Sequence, residues 1–155
     1  MAEVGRNEAG LNEAGLNEAG LNEAGLKRLN PDSIGKPVGA YSHGVLATTP
    51  GDWLHISGQV GLLPTGETPA GFVGQARAAW SNLIAILAEA GMDVQCLVKI
   101  TTFITDEANL AENARVRAGF LGDVRPASTL LVVKALARPE WAIEVEAVAF
   151  RPRQA

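Results

Sequence analysis

Residues 7–26 are four perfect copies of Asn-Glu-Ala-Gly-Leu, and this repeat divides the chain before any other feature is weighed. In an α-helix a five-residue step turns through ~500°, so each of Leu11, Leu16, Leu21 and Leu26 falls ~140° round from the last and no apolar stripe forms. Gly10, Gly15, Gly20 and Gly25 would each cost a helix about 1 kcal/mol relative to alanine. Four short copies are also too few to stack into a solenoid with a core of its own. Residues 1–32 are therefore expected to be a low-complexity tail, disordered or docked on a neighbouring subunit, with Pro31 and Asp32-Ser33 punctuating the junction. Residues 33–155 are expected to hold the domain, its folded part running from about Pro37 to Pro152.

With 155 residues, 47% of them hydrophobic, there is material for one domain with a real core. A formal charge of −4 and no basic run longer than Lys27-Arg28 argue against a polyanion partner, so no nucleic acid is expected. The lone Cys96 cannot form an internal disulfide and reads as a small apolar residue in a cytoplasmic protein. His43, His55 and Cys96 stand 12 and 41 residues apart, a spacing that builds no metal site, and no cofactor is expected. No apolar run reaches the ~20 residues of a membrane span, and the start of the chain lacks the pattern of an export signal.

Within the domain the hydrophobic period switches between two and three-to-four. Ser42–Thr48 and Trp53–Val60 are short β-prone runs around Thr49-Pro50-Gly51-Asp52, which predicts an antiparallel hairpin. Val73, Ala76, Trp80, Leu83, Leu87 and Ala90 then recur at helical spacing, ended by Gly91. Val94–Thr105 alternates as a strand, with Ile100, Thr102 and Ile104 on one face and Lys99, Thr101 and Phe103 on the other. A second helix is predicted over Glu107–Leu121 with Leu110, Ala114, Ala118 and Leu121 as its apolar stripe. Ser128–Ala135 and Trp141–Phe150 complete the set as strands. The order β-β-α-β-α-β-β predicts an α+β fold, a mixed sheet with two helices on one face. Apolar groups such as Phe103 and Val132 on the uncovered face would be hidden by other copies of the chain, so a homo-oligomer is expected.

Gly39-Ala40-Tyr41-Ser42, Ser57-Gly58-Gln59, Arg125-Pro126-Ala127 and Ile143-Glu144-Val145-Glu146-Ala147, with Gln75...Asn82-Leu83 and Leu87-x-x-Ala90-Gly91, follow in one order. Together these segments resemble the RidA/YjgF family, whose pattern has Gly-Pro-Tyr-Ser, Ser-Gly-Gln, Pro-Ala-Arg-Ser and Glu-(Ile/Val)-Glu-Ala. The resemblance covers the domain and none of the tail. It implies a chorismate-mutase-like fold and a homotrimer with small-molecule pockets between subunits. It also implies hydrolysis of reactive enamines and imines, although some members have been described as ribonucleases or translation inhibitors.

Hydrolysis of a C=N bond needs water at carbon, a proton for nitrogen and a means of fixing the substrate. Glu144 matches the family's active-site glutamate and falls on the face opposite Ile143 and Val145; the plain alternative is a solvated strand face paired with Lys99 or Lys134. Tyr41 matches the pocket tyrosine, or is simply a buried aromatic of the hairpin. Ser57 and Gly58 match pocket-wall positions, and Gly58 also suits a strand bulge. Asn113 matches a family asparagine near the subunit contact if one residue is deleted before it. The family's carboxylate-binding arginine follows Pro-Ala, and Ser128 stands there instead, followed by Thr129. A hydroxyl donates one hydrogen bond and carries no charge, so about 1.5–3 kcal/mol of carboxylate binding is lost. Arg125 lies three residues away, ~10 Å along an extended chain, and does not simply substitute. The expected substrate is a small C–N compound other than the usual amino-acid-derived imines. A non-catalytic metabolite-binding protein of the same fold is the alternative.

Overall fold

The computed structural model describes residues 25–47 and 49–153, so the expectation for the repeat up to residue 24 lies outside the described residues. The strands are β1 (Leu26–Leu29), β2 (Gly44–Ala47), β3 (Gly51–Val60), β4 (Leu97–Ile104), β5 (Ala127–Val132) and β6 (Ile143–Pro152). The helices are α1 (Gly71–Glu89) and α2 (Leu110–Leu121), with 3₁₀ turns at Val94–Cys96 and Glu107–Asn109.

Alternation in β6 organises the main sheet. Ile143, Val145, Ala147 and Ala149 are buried, whereas Glu144, Glu146 and Val148 between them are not. β6 pairs antiparallel with β3 on one edge and β4 on the other, and β5 runs parallel to β4, giving the order β3-β6-β4-β5. A parallel neighbour needs a crossover, and α2 lies in the connection that supplies it. The core joins Trp80, Leu83 and Leu87 of α1 to Ile100, Ile104, Ile143 and Val145. α1 ends as its sequence indicates: Gly91 takes φ +64°, its N–H donates to the Ala88 carbonyl, and the Met92 N–H reaches back to Leu87. The mixed sheet with two helices is the α+β arrangement expected. Cys96 is buried, and burial pushes its thiol pKa up. Among the described residues no helix is long and apolar enough to cross a membrane.

Four expectations are corrected. β2 does not form the predicted hairpin with β3; it pairs antiparallel with β1, Leu26 opposite Ala47, in a separate two-stranded sheet. β3 instead gives its paired edge to the ten-residue β6. The last leucine of the repeat, Leu26, is 2% exposed and belongs to the core, so ordered structure begins before the boundary drawn at residue 32. In α2, Leu110, Ala114 and Ala118 are exposed, while Asn113, Val116 and Leu121 are buried. The helix is turned so that an inward face carries polar groups, which an apolar-stripe reading cannot detect. Val132 pairs with Ile104 and so shares the helix-side face at the sheet edge, while Leu131 lies beside Phe103 on the open face.

Two outcomes are expected. Leu26→Ala should destabilise the domain by about 2–4 kcal/mol in urea titrations, because it empties a filled core position. Asp52 lies opposite Arg151 and accepts hydrogen bonds from Arg153 Nε (2.8 Å) and Arg151 Nη2 (3.4 Å). The Arg153 bond is the main cause holding its carboxyl below the usual range. A depressed folded pKa adds stability above the unfolded value of about 3.9, and that stability is lost as pH falls through the folded value. Asp52→Asn should therefore lower the melting temperature slightly at pH 7 and match the parent near pH 2.

Candidate functional site

Glu144 sits on β6 between Val60 of β3 and Phe103 of β4. The β3–β6 register slips between Ile56 and Gln59, so Ser57 and Gly58 form a bulge that leaves the ladder. A β-carbon at Gly58 would fall on the Glu144 carboxylate. The glycine thus serves as a bulge, and the space it leaves is filled by Glu144 itself. Glu144 and Glu146 make no ion pair among the described residues, and the Lys99 ammonium donates instead to the Thr129 hydroxyl. A shallow cavity of about 290 Å³ borders this locus, its lining including Gly58, Val60, Leu62, Leu63 and Asn82.

Two polar side chains of α1 hold the backbone on either side of Glu144. Gln75 is buried; its Nε2 donates to the Glu140 carbonyl (2.9 Å) and its Oε1 accepts from the Ala142 N–H (2.8 Å). Asn82 Nδ2 donates to the carbonyls of Leu62 (2.9 Å) and Val60 (3.3 Å), the latter residue being the cross-strand partner of Glu144. Gln75 and Asn82 of α1 therefore fix the entry of β6 and the exit of β3. The sequence marked both positions only through family spacing.

Tyr41 and Ser128 gather elsewhere. Ser42 bridges to Ala127, its N–H donating to the Pro126 carbonyl (3.2 Å) and its hydroxyl to the Arg125 carbonyl (2.7 Å), which sets Tyr41 beside the start of β5. Tyr41 is half-buried and packs edge-on against His43, ring centres 5.8 Å apart. Ser128 pairs with Ile100 on the helix-side face, whereas Thr129 pairs with Thr101 on the open face. The two residues expected to line one pocket thus point to opposite sides of β5. Asn113 is buried in α2 with its Oδ1 unpartnered. Glu144 and Ser128 are separated by β4, about 10 Å across the sheet at ordinary strand spacing, and face opposite ways. One chain brings together Ser57, Gly58 and Glu144, and in a second place sets Tyr41 beside the start of β5, the strand that carries Ser128.

Two arginines that belong to no motif in the sequence, Arg117 and Arg28, carry charge close to this second place. Arg117, one turn after Asn113, donates from Nη1 to the Ala40 carbonyl (2.7 Å), while its Nε and Nη2 are buried without a partner. Burial, and then the charge of Arg125, lower the pKa of Arg117, and the same two causes act on Arg28 of β1. The available signal was the four-residue step from Asn113, which places both on one side of α2.

Residues 32–151 match the family model described as endoribonuclease L-PSP. The chain belongs to this family, that of the RidA/YjgF proteins. A RutC family protein of Aquifex aeolicus is 38% identical over 116 residues, covering 72% of this chain and 90% of that protein. TdcF of Escherichia coli K12, which bears the name of a reactive intermediate deaminase, is 34% identical over 118 residues, covering 74% and 88%. The crystal structure of the Rid family protein YyfB from Yersinia pestis superposes with TM-score 0.72 at 33% identity, over 81% of this chain and 98% of that one. The structure of E. coli TdcF with bound serine gives 0.61 at 31% identity, again over 81% and 98%.

Gly58→Ala should push the Glu144 carboxylate off the bulge while leaving the core intact. A crystal structure of the variant should show Glu144 in another rotamer, with thermal stability reduced by about 1–3 kcal/mol from overpacking.

Proposed function

We propose that the chain is a Rid-like hydrolase acting on a small enamine, imine or related C–N compound in a pocket completed between subunits of a homotrimer. The carrying observation is the division of the site residues: Glu144 on β6 without an ion partner among the described residues, and Ser128 on β5 facing the other way, with Tyr41 beside the start of that strand. A second copy of the chain can bring one locus against the other. The edge strand β5 favours this, since Leu130, Leu131 and Val132 are all exposed beside its unpaired side.

In the reaction, water adds to the C=N carbon and Glu144 passes a proton from that water to nitrogen. The resulting carbinolamine then breaks its C–N bond as its hydroxyl proton passes to nitrogen, leaving the carbonyl compound and ammonia or, from a cyclic imine, a carbonyl compound with a tethered amine. Tyr41 supplies a ring to cover a planar substrate and a hydroxyl to orient it. Ser57 and Gly58 shape the wall next to Glu144. The name of TdcF supports this chemistry, and one structure of that E. coli relative holds a bound serine. At position 128 this chain offers a hydroxyl where a guanidinium would clamp an α-carboxylate, so the usual amino-acid-derived imines should be poor substrates. The family description also includes ribonuclease activity. A chain of net charge −4 lacks the electrostatic attraction that binding to RNA uses, which favours a small ligand.

Glu144→Gln should lower hydrolysis of a neutral cyclic imine such as 1-pyrroline by about 10²–10⁴-fold with binding retained, measured as carbonyl product formed. Ser128→Arg should raise turnover of 2-iminopropanoate at least tenfold. Absence of turnover by the parent protein on neutral and anionic imines alike, with binding intact, would favour the non-catalytic reading. Light scattering at micromolar concentration should return the mass of a trimer.

A further inference from the structure

The inward face of α2 holds a charge that no carboxylate among the described residues neutralises. Arg117 spends Nη1 on the Ala40 carbonyl, which leaves free the Nε and Nη2 hydrogens, the edge of a guanidinium that forms two parallel bonds to a carboxylate or phosphate. Both atoms are buried, and a buried donor without a partner is costly unless something comes to satisfy it. The neighbouring charges are of the same sign. Arg125 donates from Nη1 to the carbonyls of Gly122 (2.6 Å) and Val124 (3.0 Å), and its nearest carboxylate, Asp123, is 3.7 Å away on an exposed side chain. Arg28 is close enough for Arg125 to repel it and has no carboxylate partner among the described residues. Arg117 thus touches the segment that carries Tyr41 through the Ala40 carbonyl, Arg125 joins it through its own carbonyl and the Ser42 hydroxyl, and Arg28 of β1 lies within reach of the Arg125 charge.

We propose that Arg117 is an anion-binding residue, its Nε/Nη2 edge receiving a carboxylate or phosphate group of a small ligand while Arg28 and Arg125 supply the surrounding positive field. The inference rests on reading the Tyr41 locus as part of the ligand pocket. It adds that the anionic group is held from α2 rather than from β5. A ligand held this way carries its charge apart from the position an α-carboxylate would take beside residue 128. Entry requires the Gly39–Ser42 segment, tied to α2 through the Ala40 carbonyl, to move aside. Once formed, the pair is shielded from water and strengthened by the low local dielectric.

The test follows the Arg117 Nε–H resonance in the ¹⁵N-labelled full-length protein, with propanoate and inorganic phosphate titrated separately and propanamide as the neutral control. The expected result is a saturable downfield shift with one or both anions and none with propanamide; which anion acts distinguishes a carboxylate from a phosphate source. Arg117→Lys, which keeps a charge and a donor for the Ala40 carbonyl, should weaken binding tenfold or more. Arg125→Met should weaken it several-fold, and Arg77→Met on α1 should not alter it. No saturable shift with either anion, an equal shift with propanamide, or undiminished affinity in Arg117→Lys would overturn the proposal. So would a resonance already shifted without added anion and unmoved by titration, the outcome expected if a neighbouring copy fills the edge. Anion binding at Arg117 without any imine turnover would remove the hydrolase reading alone. Glu144-dependent turnover with anion binding and KM unchanged in Arg117→Lys would remove this inference alone.

Discussion

Strand β6 is bonded on both edges, and its side-chain alternation fixes what every neighbouring strand presents. Ile143, Val145 and Ala147 enter the core opposite Ile104, Thr102 and Ile100, so Glu144 and Glu146 must emerge on the other side. A slip of one residue would bury both carboxylates and expose that apolar row, a change no marginally stable domain survives. The position of the acid/base candidate is thus a consequence of core packing, and β3 and β4 are held in register by the same row.

Local devices then refine what the sheet has set. The Ser57-Gly58 bulge clears space above β3, and the Glu144 carboxylate fills it. Gln75 and Asn82 reach out of α1 to tie down the backbone ahead of β6 and after β3. The helix that packs the core also steadies the strand ends around Glu144, which links stability to the geometry of the candidate site. Substitutions at either residue would act on Glu144 through the backbone, without touching a ligand.

α2 shows where pattern reading misled. Its apolar residues suggested Leu110, Ala114 and Ala118 as the inward stripe, but the helix buries Asn113 and Val116 and keeps Arg117 half-covered. A helix turned against its hydrophobic preference gives up burial energy, and such departures gather at functional places. The same turn brings Arg117 to Ala40 and the Tyr41 segment.

The sequence by itself determined the two helices, the alternation of β4 and β6, the glycine stop of α1 and the family, because each is written in nearest-neighbour spacing. It also determined that Glu144 lies away from the core and that position 128 lacks a guanidinium. Only the tertiary structure decided that β2 pairs with β1, the strand that starts on the last residue of the repeat, rather than with β3, since Leu26 gains its burial from groups far along the chain. The division of Glu144 from Ser128, the opposite directions of Ser128 and Thr129, and the meeting of Arg28, Arg117 and Arg125 were likewise settled by strand order and helix rotation. These depend on contacts between residues distant in sequence, and no local period carries them.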